Sequence, residues 1–250
     1  MLILNAGAHK SGSTWLEGII KALPLGLTRP PNHDYSNAGD RVLFMAERAA
    51  YGRCFTFKAH LGPKEFETQE SFQKAACKPE LRAINIVRDA RDVLTSLYHH
   101  MRGVGEDLTL DEFFSFKAQA AFDRWAAHNH FWLRTAPALF ATKPLNLCYE
   151  AMKQNFERET RRLTEYLGCE MPDDLAGRVS ISTMRETSTK PWMKSFEERG
   201  GNFFRKGIVG DYANFFTDDM SAKVQAWFGD SPKAKEVETW RVSHIEKTST

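Results

Sequence analysis

The chain has 250 residues, 42% of them hydrophobic and 26% charged, and its 16 Gly and 10 Pro are ordinary in number. This excludes a staple-dependent miniprotein, a collagen-like or coiled-coil rod and a disordered chain as descriptions of the whole. With 34 Lys and Arg against 32 Asp and Glu the net charge is +2, so an anionic ligand must be held by a local cluster, and nothing in the balance supports a nucleic-acid partner.

Cys54, Cys77, Cys148 and Cys169 stand far apart and form no CxxC pair, which points to reduced thiols in a cytoplasmic protein. Met1 runs directly into an apolar strand and a glycine, without the basic segment and long apolar stretch of a signal peptide. No uninterrupted apolar run reaches the roughly 18 residues of a membrane-spanning helix.

Leu2 to Asn5 is an apolar strand that ends in Ala6-Gly7-Ala8-His9-Lys10-Ser11-Gly12-Ser13-Thr14. Trp15, Leu16, Ile19, Ile20 and Leu23 then recur at helical spacing until Pro24. Residues 26–39 are polar and loop-like, a length that often covers a site. A helix is expected over 41–51 and a strand over 54–58, where Phe55 and Phe57 alternate with polar neighbours before Ala59-His60-Leu61-Gly62-Pro63. A helix over 66–76 precedes a strand over 82–87, whose end delivers Arg88 and Asp89. Val93, Leu94, Leu97, Tyr98 and Met101 share one side of the next helix, which ends near Gly103.

Residues 110–134 form a long amphipathic segment carrying Phe113, Phe114, Phe116, Phe122, Trp125, Phe131 and Trp132, a series read as core packing. A strand over 145–149 and a helix over 156–167 closed by Gly168 follow, then a short helical stretch over 175–179. Residues 180–207 are polar and breaker-rich, with Trp192, Phe196, Phe203 and Phe204 interspersed. A helix over 220–228 is preceded by Thr217-Asp218-Asp219 as cap material. Beyond Gly229 only Val237, Trp240, Val242 and Ile245 argue for order, and residues 246–250 are expected to fray. The repeated strand-to-helix units predict one α/β domain over residues 1–245, with a mostly parallel central sheet flanked by helices. Ligands are expected at the carboxyl ends of its strands, where Lys10, His60 and Arg88 stand.

The loop at 7–14 offers a helix N-terminus, small residues, hydroxyls and one lysine, a set that suits a phosphate. It is not the GxxxxGK[ST] loop, which would need lysine where Ser13 stands, nor a dinucleotide GxGxxG turn. The eight histidines include no HExxH or other close ligand set, so no metal is expected, and His99-His100 reads as a helix-surface pair.

Ala8-His9-Lys10-Ser11-Gly12-Ser13-Thr14-Trp15-Leu16 resembles the 5′-phosphosulfate loop of cytosolic-type sulfotransferases, which use 3′-phosphoadenosine-5′-phosphosulfate (PAPS). Phe57-Lys58-Ala59-His60-Leu61 resembles the segment that carries that family's catalytic base, and the segment from Arg88 to Ser96 resembles its 3′-phosphate segment. Phe204-Arg205-Lys206-Gly207-Ile208-Val209-Gly210-Asp211-Tyr212 resembles its late RKGxxGDW signature, with tyrosine for tryptophan. Leu147-Cys148-Tyr149-Glu150 resembles the strand end that brings a tyrosine to adenine. The resemblance runs from residue 2 to about residue 217, and the four ordered motifs at 8–16, 57–61, 88–96 and 204–212 together make it specific.

The resemblance implies a P-loop-like sulfotransferase fold and sulfonate transfer from PAPS, leaving 3′,5′-adenosine bisphosphate (PAP), without a metal. It implies that Lys10, Ser11, Gly12, Ser13 and Thr14 hold the 5′-phosphate and Trp15 lies near adenine. Arg88, Ser96, Arg205, Lys206 and Gly207 would hold the 3′-phosphate, and Tyr149 would reach the base. His60 would take the acceptor proton, Lys10 and Lys58 would stabilise charge on the bridging oxygen, and Ser96 would hold Lys10 away until the acceptor binds.

Val179 and Ile181 stand where the family commonly has threonine and phenylalanine. Ala213, Asp218 and Ala222 depart from its dimerisation motif, so a monomer or a differently built dimer is expected. The acceptor is expected to be a small alcohol, phenol or hydrophobic natural product, its pocket drawn from residues 26–39, 99–116 and 185–204. Asp34 and Glu65 are alternative bases. The rival functions are a nucleotide kinase with an atypical loop and an inactive nucleotide-binding or protein-interaction domain.

Overall fold

The computed structural model describes residues 1–30, 35–187 and 207–248. His33, Asp34, Trp192, Phe196, Phe203, Phe204, Arg205 and Lys206 lie outside the described residues.

Four strands, β1 (Leu2–Asn5), β2 (Phe55–Lys58), β3 (Leu81–Val87) and β4 (Leu145–Cys148), form one sheet in the order β2-β1-β3-β4. Every pairing is parallel, with Leu2 opposite Phe55 on one side of β1 and Leu81 on the other. A parallel sheet needs crossover helices on its faces, so its inner strands are buried on both sides and read as apolar runs. In β1 every residue is buried. Leu2 and Leu4 pack with Val42, Phe72 and Trp132 on one face, while Ile3 packs with Leu16, Ile19 and Ile86 on the other. This is the two-residue alternation of a strand.

The helices are α1 (Ser13–Ala22), α2 (Ala38–Ala49), α3 (Pro63–Thr68), α4 (Glu70–Ala76), α5 (Ala90–Gly103), α6 (Leu110–Phe116), α7 (Ala118–His130), α8 (Ala136–Leu139), α9 (Tyr149–Gln154), α10 (Phe156–Leu167), α11 (Leu175–Arg178), α12 (Ile181–Thr187), α13 (Asp218–Asp230) and α14 (Pro232–Thr248). No described helix is long and apolar enough to cross a membrane.

The long amphipathic segment over 110–134 is not continuous. Lys117 leaves helical geometry at φ −130° and ψ −30°, separating α6 from α7. The chain then widens into a π-turn over Phe131–Thr135. Pro137 lies four residues beyond Leu133 and cannot donate to its carbonyl, which accounts for the widening. The aromatic series does pack as core, with Phe113, Phe122 and Trp125 in one cluster and Phe131 and Trp132 in another. Phe116 is the exception at 79% exposure.

The helix expected over 66–76 is split at Gln69, which is extended at φ −118° and ψ 97°. Residues 246–248, expected to fray, continue α14. That helix buries Ala234, Val237 and Arg241 at helical spacing, and a buried charge contributes nothing to a hydrophobic pattern.

The chain leaves β1 for β2 on one side, while β3 adds on the other. The gap between the carboxyl ends of β1 and β3 is therefore the switch point where open α/β sheets bind ligands.

Candidate active site

Residues 6–12 leave β1 and turn into α1 through backbone that excludes most side chains. A Cβ on Gly7 would lie 2.6 Å from Cγ2 of Ile86. Gly12 caps α1 at φ +101°, and a Cβ there would lie 2.7 Å from the Tyr149 ring. Lys10 has a positive φ of 65°, an uncommon and costly geometry outside glycine that tends to mark functional loops. Ser11 donates its N–H and its hydroxyl to the carbonyl of Ala8, at 3.2 and 2.6 Å, so it shapes the loop. Asn5 donates to the carbonyl of Ser13 at 2.6 Å and ties the strand end to the first helical turn. No acidic side chain stands in that turn, leaving the N-terminal dipole available to an anion.

Gly12→Ala would impose both left-handed strain and a clash on Tyr149. The variant is expected to lose roughly 2 kcal/mol or more of stability and to bind adenosine bisphosphate far more weakly. Thermal unfolding and calorimetric titration check this, and a variant matching wild type in both would remove the close-approach role from Gly12.

Lys58, at the end of β2, donates to Thr14 Oγ1 at 2.9 Å and pairs with Glu17 at 3.5 Å. Its ammonium is thereby held over the start of α1. Two residues on, His60 Nδ1 lies 2.6 Å from the carbonyl of Gly7. A carbonyl only accepts, so Nδ1 carries the proton and Nε2 keeps its lone pair in the neutral ring. Burial, reinforced by Lys58 and Lys10, holds His60 below its ordinary 6.5 against the opposing bond to Gly7. The His9 ring lies on it at 3.7 Å between centroids. His9 is itself lowered to about 4 by burial and by the neighbouring His60, Lys10, His100 and Arg124.

Arg88 follows β3 and is 7% exposed. Its guanidinium lies 4.4 Å from the Tyr149 ring centre and donates to the carbonyls of Lys10 and Ile208 at 3.4 and 3.2 Å. Its Nε is buried without a hydrogen-bond partner among the described residues. Tyr149 OH donates to the carbonyl of Gly207 at 3.2 Å, and Gly207 is left-handed at φ 60°. Buried Asp92, which the sequence reading missed, accepts from the N–H groups of Gly210 and Tyr212 at 2.9 and 3.1 Å. It thereby fixes the 207–212 segment against α5. Ser96 is half-buried in α5, two turns beyond Arg88.

Trp15 donates to the carbonyl of Val179 at 3.0 Å and faces Phe156 at 5.9 Å. With Met152, Lys153, Val179 and Ser180 they border a cavity of about 340 Å³.

A second cavity, of about 600 Å³, opens beside His9 and His60. Its walls are the 60–65 turn, Val93, Leu97 and His100 of α5, and Ala121, Arg124, Trp125 and His128 of α7. Among the described residues of the segments expected to line an acceptor pocket, 99–116 contributes through His100, while residues 31–34 and 188–204 of the other two segments lie outside the described residues. The pocket wall was missed because the cavity-facing and core-facing positions of α7 follow one helical period. Glu65, an alternative base, has Oε2 occupied by the N–H of Gly62 at 2.9 Å. No group of His, Cys, Asp and Glu suited to a metal ion occurs among the described residues.

The buried ends of β3 and β4 also carry an ionic cluster absent from the sequence reading. Arg241 of α14 lies 3.1 Å from Asp89 and 3.5 Å from Glu150. Asp89 is chelated by Arg91 and caps α5, while Glu150 Oε1 accepts the N–H of Asp89 at 2.9 Å. The cluster fixes the residue after Arg88, and Trp125 Nε1 fixes the carbonyl of Arg88 itself at 2.9 Å.

Residues 2–240 match the family model described as the sulfotransferase domain. Sulfotransferase 1E1 of Bos taurus is 26% identical over 86% of this chain and 77% of its own length. Cytosolic sulfotransferase 3 of Arabidopsis thaliana is 27% identical over 89% and 74%. Sulfotransferase 2B1 of Mus musculus is 30% identical over 59% of this chain, a match spanning 47% of that protein. In fold, the chain is similar to mouse sulfotransferase SULT7A1 complexed with PAP, with a TM-score of 0.69 and 20% identity over 97% of this chain and 88% of that one. A retinol dehydratase complexed with androsterone and PAP gives 0.63 and 15% over 92% and 79%. The match of nearly the whole chain to the family model, on the parallel sheet and phosphate loop described above, places the chain in the sulfotransferase family, and it is a sulfotransferase.

Proposed function

We propose that this single-domain enzyme transfers a sulfonate group from PAPS to a hydroxyl, in preference to an amine, of a small molecule, with His60 as the general base. The observation that carries the reading is the convergence at one switch point of the α1 N-terminus, Lys58, His60 with its proton fixed on Nδ1, and Arg88.

The donor fits in two places. The first turn of α1 and Lys10 suit the 5′-phosphosulfate, and the buried Arg88 beside Gly207 suits a 3′-phosphate, since a guanidinium can make two charge-assisted bonds to one phosphate. Arg205 and Lys206 are assigned to the same phosphate by their motif. The cavity beside Trp15 and Phe156 suits the adenine ring, with Tyr149 supporting Arg88 from below. The bound donor supplies an activated sulfonate and a stable leaving group.

An alcohol is a weak nucleophile until its proton is leaving. Nε2 of His60 accepts that proton, and the bond from Nδ1–H to Gly7 strengthens as the ring becomes cationic. Lys10 and Lys58 meet the negative charge that grows on the bridging oxygen, where fixed ammonium groups act most strongly in the transition state. Ser96 is assigned the gating of Lys10. The kinase reading has no lysine at position 13 and gives Arg88 no task. The cytosolic name of one relative and four unpaired cysteines support a cytoplasmic setting.

PAP is expected to bind at least about tenfold more tightly than adenosine 5′-monophosphate, because one ligand engages the Arg88 cradle and the other does not. Arg88→Ala should reduce that ratio. Calorimetric titration giving equal affinities would remove the 3′-phosphate assignment.

Ala213, Asp218 and Ala222 are exposed and lack the charged and apolar pattern of the family's pairing motif. The chain is expected to be a monomer or to pair through another face. Light scattering over a range of concentrations tests this, and a dimer broken by substitutions within 213–222 would contradict it.

A further inference from the structure

The cavity beside His60 has a one-sided charge. Arg124 on α7 and Lys64 on α3 are both exposed and border it. Neither forms an ion pair with the described residues. The one carboxylate in the wall among the described residues, Glu65, is turned back onto the N–H of Gly62. The remaining polar wall is imidazole, from His9, His60, His100 and His128. Burial and nearby positive charge hold these rings in the neutral form near pH 7, with His9 and His100 at about 4 and His128 at about 3. Arg124 and Lys10 are among the charges that depress His9, so their field reaches the interior. The rest of the wall, formed by Val93, Leu97, Ala121 and Trp125, is apolar. A cavity of about 600 Å³ is of the size that takes a drug-sized ligand.

Resting on the reading of this cavity as the acceptor site, we propose that the acceptor is a hydroxylated carboxylic acid with an apolar body, its carboxylate held by Arg124 with Lys64 while its hydroxyl faces His60. A neutral acceptor would fill the apolar wall but leave the positive field unanswered. A carboxylate answers it, and Arg124 can accept one in a bidentate geometry that lysine cannot offer. The donor does not account for these charges. Lys10 and Lys58 arise from the turns after β1 and β2, at the start of α1, whereas Arg124 and Lys64 arise from α7 and α3.

The test uses the full chain loaded with PAP, titrated with 3-(4-hydroxyphenyl)propanoate and with its primary amide. The two share the same phenol and differ in charge. The acid is expected to bind at least about fivefold more tightly at low salt, the scale of one partly exposed charge-assisted contact. Arg124→Gln should bring the ratio of the two dissociation constants close to one, and Arg124→Lys should retain part of it. Because each protein is its own reference, partial loss of folded material cancels from the ratio. Equal binding of acid and amide by wild type would overturn the proposal, as would a ratio unchanged in Arg124→Gln.

Sulfonate transfer from PAPS to both compounds, followed in parallel, separates this proposal from the reading it rests on. Transfer to both with equal binding overturns the anionic acceptor and keeps the sulfotransferase reading. Preferential binding of the acid without transfer to either keeps the anionic site and counts against its role as the acceptor site.

Discussion

His60→Ala is expected to lower acceptor-dependent turnover by roughly 10²- to 10⁴-fold, the scale of a positioned general base, while leaving affinity for PAP within a few fold of wild type. The separation follows from placement. His60 follows β2 and borders the larger cavity, whereas the cradle assigned to the donor is built from the α1 N-terminus, Arg88 and the Gly207 segment. The pH dependence has a defined sign. Burial holds the imidazole below 6.5, so the free base persists on acidification, and the acid limb of kcat/KM in wild type should lie below pH 6.5. That limb should vanish from the residual activity of the variant. Both proteins need matched folding, confirmed by circular dichroism. Transfer to an unactivated alcohol at nearly the wild-type rate would remove the base role from His60. Survival with a phenol of low pKa alone would fit it, since such an acceptor is already partly ionised.

Arg241→Met is expected to produce the largest loss of stability, about 3–5 kcal/mol near pH 7, because it leaves the buried Glu150 carboxylate without its cation and Asp89 with Arg91 alone. Asp89, Glu150 and Arg241 are 5%, 4% and 6% exposed. Burial alone would raise the Asp89 carboxyl, but its bonds to Arg91 and the Arg241 charge hold it below its ordinary value. It therefore contributes stability above the unfolded value of 3.8 that is lost as pH falls through the lower folded value. Glu150 is raised by burial, with Arg241 opposing. Without Arg241 the already raised Glu150 rises further and Asp89 loses part of its depression, so both take up protons at higher pH and the deficit of the variant should shrink between pH 7 and 5. Denaturant unfolding at the two values tests both statements. A loss below about 1 kcal/mol, typical of a surface ion pair, or one independent of pH would show that the cluster is not the anchor described.

The parts of the fold that were legible in the sequence share a physical reason. Strands buried on both faces, such as Leu2 to Asn5 and Leu81 to Val87, read as apolar runs, and the residues that break them sit at the carboxyl ends of the strands, where ligands bind. Lys10, Lys58, His60 and Arg88 all stand within a few residues of a strand end, so position in the chain already placed them at one edge. What the sequence concealed depends on contacts between distant segments. Arg241 is buried only because Asp89 and Glu150 face it, and no periodicity marks such a residue. His9 became notable only through its stack on His60, and Asp92 through the N–H groups of Gly210 and Tyr212. The breaks at Lys117 and Gln69 interrupt patterns that remain amphipathic on both sides, so periodicity alone joined them.

The central claim is tested most directly by incubating the purified chain with PAPS and a panel of phenols, alcohols and hydroxy acids, and following product mass together with release of PAP. The account predicts a mass increase of one sulfonate on at least one acceptor, with PAP released in equal amount, dependent on enzyme and acceptor, and nearly abolished by His60→Ala. Tight binding of PAP without transfer to any member of the panel would favour an inactive nucleotide-binding domain. Phosphoryl transfer from ATP under the same conditions would contradict the account outright.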